Sequence, residues 1–204
     1  MSKLIAIGGG SGSGKSTLAR ALMAHYPDEI AILSYDWYYK DRTGESEEEK
    51  ARANYDEPKA IDTARFLLDA RALKEGKAIE APVYDFATHE RKKATHHVDP
   101  KPYILVDGVL CYQVPSPRDI YDFYLFVDCP SDIRLARRIL RDEEERGRTS
   151  SSIVLQYLAT VRPMHERYVE STKKEADYLV RSDLRPTDDV SLIEDIHDLL
   201  SKLP

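Results

Sequence analysis

Cysteine is nearly missing from this chain: Cys111 and Cys129 are the only two among 204 residues, and no Cys/His spacing suited to a metal accompanies them. That excludes a disulfide-stapled scaffold and a structural zinc centre. Each cysteine flanks an apolar strand-like run and is expected as a small core residue in a reducing compartment. No apolar run approaches the ~20 residues that span a bilayer, and no signal-peptide pattern precedes the first strand-like run, so a cytoplasmic protein without a membrane partner is expected. Blocks of Lys and Arg are absent as well. Thirty basic against thirty-six acidic residues leave a net charge of −6, which gives no electrostatic reason for a nucleic-acid partner. Repeats and low-complexity linkers are also lacking. The length suits one well-buried core and is short for two, so a single domain over residues 1–204 is expected.

What the chain does have is a complete G-x-x-x-x-G-K-[ST] loop, Gly9-Gly10-Ser11-Gly12-Ser13-Gly14-Lys15-Ser16, between the apolar run Lys3 to Ile7 and the helix-forming run Leu18 to Met23. In such a loop successive backbone N–H groups turn inward onto phosphate oxygens, the lysine adds a point charge for the outer phosphates, and the hydroxyl reaches Mg²⁺. Residues Gly9 to Ser16, with Thr17 after them, are therefore expected to hold a nucleoside triphosphate, ATP or GTP, that brings its own Mg²⁺.

Strand-like runs at 3–8, 30–34, 102–107, 122–128 and 177–180 alternate with segments of helical period near 15–25, 62–74, 131–146, 152–168 and 189–202. Such alternation predicts an α/β fold of the P-loop nucleoside-triphosphate-hydrolase type, a five-stranded parallel sheet flanked by helices. In the last helix Val190, Ile193, Ile196, Leu199, Leu200 and Leu203 make an apolar stripe for the sheet. Residues 77–100 instead read as two strands around a polar turn, a hairpin projecting beside the ligand cleft. Glu45 to Lys50 reads as a solvated helix face.

Ligands of open parallel sheets bind beyond the carboxyl ends of the strands. Asp107, closing the run Ile104-Leu105-Val106, is there a candidate to hold Mg²⁺ opposite Ser16. Asp36 follows the run Ile30 to Ser34 on the same rim. It is the candidate to face an acceptor hydroxyl, accepting its proton late in a loose phosphoryl transfer, and it joins Ser16 and Asp107 among the groups near the metal. Arg134, Arg137, Arg138, Arg141, Arg146 and Arg148 crowd one helix and its end at Gly147. Arg138 with Asp142 and Arg141 with Glu145 could form i, i+4 surface pairs. The density of guanidinium groups also suits an arginine-rich helical lid over about residues 138–156 that covers a transferring phosphate.

The loop, Ser34-Tyr35-Asp36-Trp37-Tyr38-Tyr39-Lys40, Asn54-Tyr55-Asp56-Glu57-Pro58, Pro82-Val83-Tyr84-Asp85-Phe86-Ala87-Thr88-His89 and Val161-Arg162-Pro163-Met164-His165-Glu166 occur in an order and spacing that resemble the uridine-cytidine kinase family from residue 4 to about 180. The resemblance implies transfer of the terminal phosphate of ATP or GTP to the 5′-hydroxyl of uridine or cytidine, in pyrimidine salvage. It implies Asp36 as base and Tyr39 beside the acceptor. Asp56 would lie on the ribose hydroxyls, Tyr84 and Phe86 would wall the pyrimidine, and His89 would meet its edge. Lys15, Arg138 and Arg141 would face the phosphates, with Arg138 also on the ribose and Arg148 and Gln156 near the nucleoside. A homotetramer is implied by the family alone. The chain departs from the pattern at Asp107, where Glu is usual, at Trp37-Tyr38, and at Glu57, where His is usual. A sugar-phosphate kinase of the phosphoribulokinase kind is the alternative within enzymes. A regulatory nucleotide-binding protein is the alternative outside them, although Asp107-Gly108-Val109-Leu110 lacks the D-x-x-G element such a switch needs.

Overall fold

The computed structural model describes residues 1–204, apart from the side chain of Ala51. Five parallel strands form the central sheet in the order β2 (Ile30–Ser34), β5 (Tyr103–Asp107), β1 (Lys3–Gly8), β6 (Phe123–Asp128) and β7 (Tyr178–Arg181). Each expected strand is found to within a residue or two.

The strands are apolar on both faces because both faces are covered. Successive side chains alternate across a strand, so Leu4 and Ala6 of β1, Ile104 and Val106 of β5, and Tyr124 and Phe126 of β6 enter one core layer. Ile5, Ile7, Leu105, Leu125 and Val127 enter the other. Phe66, Ala70 and Leu73 of α3 (Thr63–Lys74) close the first layer. Leu18 and Leu22 of α1 (Lys15–His25), with Leu192, Ile193, Ile196 and Leu200 of α8 (Val190–Ser201), close the second. The stripe expected on this last helix holds at Ile193, Ile196, Leu200 and Leu203 but not at Leu199, which is half-buried outside the core cluster, nor at its start. Val190 is 53% exposed, and Leu192 takes its place in the core, because Asp189 caps the helix by accepting from Leu192 N–H and so turns the first residue outward.

Residues 79–98 form the expected hairpin, β3 (Ile79–Asp85) paired antiparallel with β4 (Glu90–Val98) and bulged at Pro82/Val83. Proline has no N–H to offer a ladder, so the register shifts there. The short helix α2 (Glu47–Arg52) starts in a capping box between Ser46 and Glu49. Its face is not wholly solvated as the sequence suggested. Lys50 is buried, and its ammonium lies 2.9 Å from Glu90 of β4 and 3.4 Å from Glu47, so this lysine pins the helix to the hairpin.

After the short α4 (Pro117–Ile120) and β6, helix α5 (Ser131–Arg146) carries the arginines and ends at Gly147 in the left-handed region. The chain then turns into α6 (Ser150–Gln156). It stays helical through a π segment at Tyr157–Val161, α7 (Arg162–Met164), a second π segment at His165–Val169 and a 3₁₀ stretch to Glu175. Cys111 and Cys129 are free and buried, as expected. Among the described residues no helix is long and apolar enough to cross a membrane.

Leu105, wholly buried in the sheet, is expected to lose about 2–5 kcal/mol of stability on Leu105→Ala. Leu140→Ala, at a residue 68% exposed on α5, should stay within about 0.5 kcal/mol of wild type in urea unfolding.

Candidate active site

The loop after β1 is shaped from below by a core arginine. Arg134, nearly buried in the first turn of α5, donates from Nε to the carbonyl of Cys129 and presses its guanidinium against the loop. A Cβ on Gly10 would lie 2.3 Å from Arg134 NH1, and one on Gly12, where φ is +78°, would lie 2.4 Å from the Arg134 carbonyl oxygen. At Gly12 only glycine fits, while a side chain at Gly10 would displace the Arg134 guanidinium. Lys15 Nζ donates to the Gly10 carbonyl at 3.0 Å and keeps its other protons for a ligand. Burial lowers the Lys15 pKa, against the opposing pull of Asp107 and Asp36.

Register brings the carboxylates to the loop. Ile7 of β1 and Ser34 of β2 both pair with Asp107 of β5, so three strands end at one level. Ser16 Oγ donates to Asp107 Oδ2 at 2.6 Å, while Asp107 Oδ1 is buried without a partner. Asp36 lies in a short 3₁₀ turn two residues beyond β2. A Cβ at Gly108 would lie 3.2 Å from Asp36 Oδ1 and 2.7 Å from Tyr35 Cβ, so the glycine after Asp107 lets the two carboxylates approach. Burial, followed by the charge of Asp107, pushes the Asp36 carboxyl up to about 6, outweighing Lys15, Arg146 and Arg141.

Beyond Asp36 the rim becomes aromatic. The Tyr39 ring lies 5.2 Å from Tyr84 and 6.2 Å from both Tyr55 and Phe86, and Tyr55 stacks on His89 at 4.0 Å. Tyr84 hydroxyl and His89 Nδ1 share a hydrogen bond of 3.2 Å. His89 adopts φ +59° at the hairpin turn, a conformation that turns its ring back toward Tyr84. Burial, with Arg42 and Lys50 nearby, lowers its pKa, so the ring is neutral near pH 7. Phe86 does not share the buried face of the hairpin with Tyr84, as simple alternation would have it. It falls just past the end of β3 and is 38% exposed, with its ring edge against Tyr84 and the guanidinium of Arg146 5.2 Å from its centre.

Asp56 accepts a hydrogen bond from Thr160 at 2.8 Å, and burial raises its pKa against the pull of Arg138 and Arg148. Arg138 spans the site. One arm donates to Ser11 of the loop at 2.9 Å and the other to Gln156 Oε1 at 3.0 Å, an oxygen that also accepts from Arg148 at 2.6 Å. The expected i, i+4 surface pairs are corrected here: Asp142 is fully buried, and Arg141 turns to it rather than to Glu145. The phosphate loop, Asp36, Asp107, Tyr39, Asp56, Tyr84, His89, Arg138, Arg148 and Gln156 thus lie around the carboxyl edge of the sheet, while Arg141 is turned to Asp142 and Thr17 is exposed on α1. Thr160 and Tyr55 join them without a role expected from the sequence, as does Arg146, which the sequence marks only as one of six crowded arginines. Tyr55 neighbours Asp56 in the Asn54 to Pro58 motif, whereas Thr160 carries no signal.

A glycine-rich loop closing on a buried lysine, beside a strand-end carboxylate tied to the loop's hydroxyl, places the chain in the class of P-loop kinases. The sequence signature of the Phosphoribulokinase / Uridine kinase family matches residues 4–191, and the chain belongs to that family. Proteins named uridine kinase from Brevibacillus brevis and Staphylococcus epidermidis are 45% and 43% identical to it, each over 87% of this chain and over 83% and 86% of their own lengths. A candidate fructose transport system kinase from Silicibacter sp. TM1040 shares the fold with a TM-score of 0.68 at 23% identity, covering 87% of this chain and 89% of that one.

A carboxyl whose folded pKa stands near 6 against an ordinary value of 3.8 binds more protons folded than unfolded. It therefore costs stability as pH rises from about 4 to 6, and the cost is complete above that window. Asp36→Asn is expected to stabilise the metal-free protein at pH 7.5 by about 1–3 kcal/mol, and little at pH 4. Carbon NMR of the Asp36 carboxyl should show a midpoint about 6 that falls in Asp107→Asn. A midpoint near 4 in the parent chain would contradict this electrostatic picture.

Proposed function

We propose that the chain transfers the terminal phosphate of ATP or GTP to the 5′-hydroxyl of uridine or cytidine, yielding UMP or CMP. The observation that carries this reading is the position of Asp36. The ionisation of this carboxyl responds to Lys15 and Asp107 on the phosphate side, and Asp36 in turn bears on Tyr39 at the entrance to the aromatic recess. A group between a triphosphate loop and a recess for a flat base is where an acceptor hydroxyl has to be.

The recess suits a nucleoside better than a bare sugar phosphate. Tyr84, Phe86 and Tyr39 offer aromatic surface to a base, and His89, neutral and held by Tyr84, offers a ring nitrogen at its edge. Asp56 is an acceptor-only group, suited to two ribose hydroxyls, while Arg138, Arg148 and Gln156 frame its other side. The close relatives named uridine kinase support the same assignment.

Ser16 and Asp107, with Asp36 beside them, would hold Mg²⁺. The partnerless Asp107 Oδ1 and the fixed Ser16 hydroxyl are hard oxygen donors of the right kind. Bound there, the ion would supply charge neutralisation on the phosphates. Asp107 is one methylene shorter than the Glu usual in the family, so a water would bridge it to the ion. Lys15, Arg138 and Arg141 would steady the transferring group, with residues 138–156 acting as a lid that excludes water. Asp36 would orient the hydroxyl. A gap of roughly nine pKa units between hydroxyl and carboxyl, about 12 kcal/mol, makes early proton removal unfavourable. The proton therefore passes to Asp36 late, as the bond to phosphorus forms.

An activity panel with uridine, cytidine, adenosine, ribulose 5-phosphate and buffer alone tests the proposal. Pyrimidine nucleosides should turn over fastest, whereas preference for the sugar phosphate or acceptor-independent hydrolysis would overturn it. Asp36→Ala should reduce kcat about 100- to 10,000-fold with donor binding within threefold of wild type. Near-normal turnover in that variant would remove Asp36 from the role.

A further inference from the structure

We infer that Asp142 is a positioning residue that assembles the arginines of α5 and its C-terminal turn over the phosphate loop. The inference rests on the phosphotransferase reading. Nothing in the residue's sequence surroundings marks it out. It opens an acidic run, Asp142-Glu143-Glu144-Glu145, that resembles any solvated helix face. In the structure Glu143, Glu144 and Glu145 are exposed, and Asp142 alone is wholly buried.

Four guanidinium groups converge on this one carboxylate. Arg141 donates to Oδ1 from Nε at 2.9 Å and from NH2 at 2.7 Å, and Arg146 NH1 lies 3.4 Å from the same oxygen. Arg138 Nε and Arg148 NH1 lie 3.6 and 3.7 Å from Oδ2. Helical spacing explains the first convergence, since residues 138, 142 and 146 succeed one another on one face. The turn explains the last: the Asp142 carbonyl accepts the N–H groups of both Gly147 and Arg148, so backbone and side chain of one residue hold the segment carrying Arg148.

Three of these arginines also touch the rest of the site, and that double set of contacts defines the role. Arg138 turns Nε to Asp142 and sends its two terminal nitrogens to Ser11 and Gln156. Arg148 shares one nitrogen between Asp142 and Gln156, and Arg146 lies over Phe86. Unopposed, the cations would repel one another; burial already disfavours the charged forms of Arg138 and Arg146, and Arg141 adds to it in both. One carboxylate among four guanidinium groups lets them share a small volume and still leaves a surplus of positive charge for phosphate oxygens. Asp142 Oδ2 and Arg138 Nε are both buried without a hydrogen-bond partner, so the cluster keeps one contact open and close to forming.

The test separates position from charge. Removing a negative group from a cationic cluster should, on charge alone, tighten donor binding and preserve or raise the rate. Positioning predicts the opposite split. Asp142→Asn in the full chain should lower kcat for uridine about 10- to 100-fold, with donor KM unchanged or lower and the melting temperature within a few degrees of wild type. In an Arg141→Gln background the same change should cost less than it does in the wild-type chain, because one of the four arms it positions is gone. Wild-type kcat in Asp142→Asn, or losses that multiply in the double variant, would overturn the inference. If Asp142→Asn does not fold, Asp142→Glu decides. It keeps the charge and displaces the carboxylate by one methylene, so reduced kcat supports positioning and full activity overturns it. Failure of the wild-type chain to phosphorylate any pyrimidine nucleoside would instead count against the proposed function. An active wild type beside an equally active Asp142→Asn counts against Asp142 alone.

Discussion

Parallel pairing at a common register is the constraint on which the site depends. Ile7, Ser34 and Asp107 lie side by side across β1, β5 and β2, so whatever follows each strand emerges on one rim. From that level β1 sends out the phosphate loop, β2 sends out Asp36, and β5 ends in the Asp107 carboxylate. A slip of one residue in either pairing would turn Asp107 to the other face and break its bond to Ser16. Because both faces are apolar, what resists the slip is the close packing of these particular side chains, Leu4 and Ala6 in one core layer and Ile5 and Ile7 in the other. Core packing and active-site geometry are in this sense one requirement.

Charge is the second organising element, and burial intensifies it. Lys15, Asp36, Asp107 and the arginines of α5 lie in a cleft where desolvation shifts Lys15, Asp36, Arg138 and Arg146 from their ordinary ionisation. Asp36 bears the clearest cost, a carboxyl raised by burial and by a second carboxylate nearby. The fold supports such groups because they are cross-linked: Ser16 to Asp107, Arg138 to Ser11 and Gln156, and Asp142 to the arginine cluster.

The sheet, the loop and the hairpin were legible in the sequence because each obeys a local rule: two-residue alternation, a fixed motif, or a polar turn between strands. Asp36 and Asp107 were legible for a related reason, since position at a strand end is a local property with a global meaning. Lys50 and Asp142 were misjudged. Both lie in charged runs on short-period helices, and their burial depends on which distant element packs against them, Glu90 of the hairpin in one case and the Gly147 turn in the other. Phe86 leaves the face that Tyr84 occupies because β3 stops one residue before it, and Thr160 meets Asp56 through a fold of the chain that no spacing announces. What the sequence concealed, in short, were contacts made at long range by polar side chains.

Arg134 has a mechanical consequence. It stands in the first turn of α5 and underpins Gly10 and Gly12, while Arg138 and Arg146 of the same helix reach Gln156 and Phe86. The floor of the phosphate loop and the cations above it are therefore mounted on one rigid rod. A tilt of α5 that drew the arginines away would also disturb the loop's underside, so grip on the donor and closure over the transferring group move as a coupled pair, and neither can be adjusted without the other.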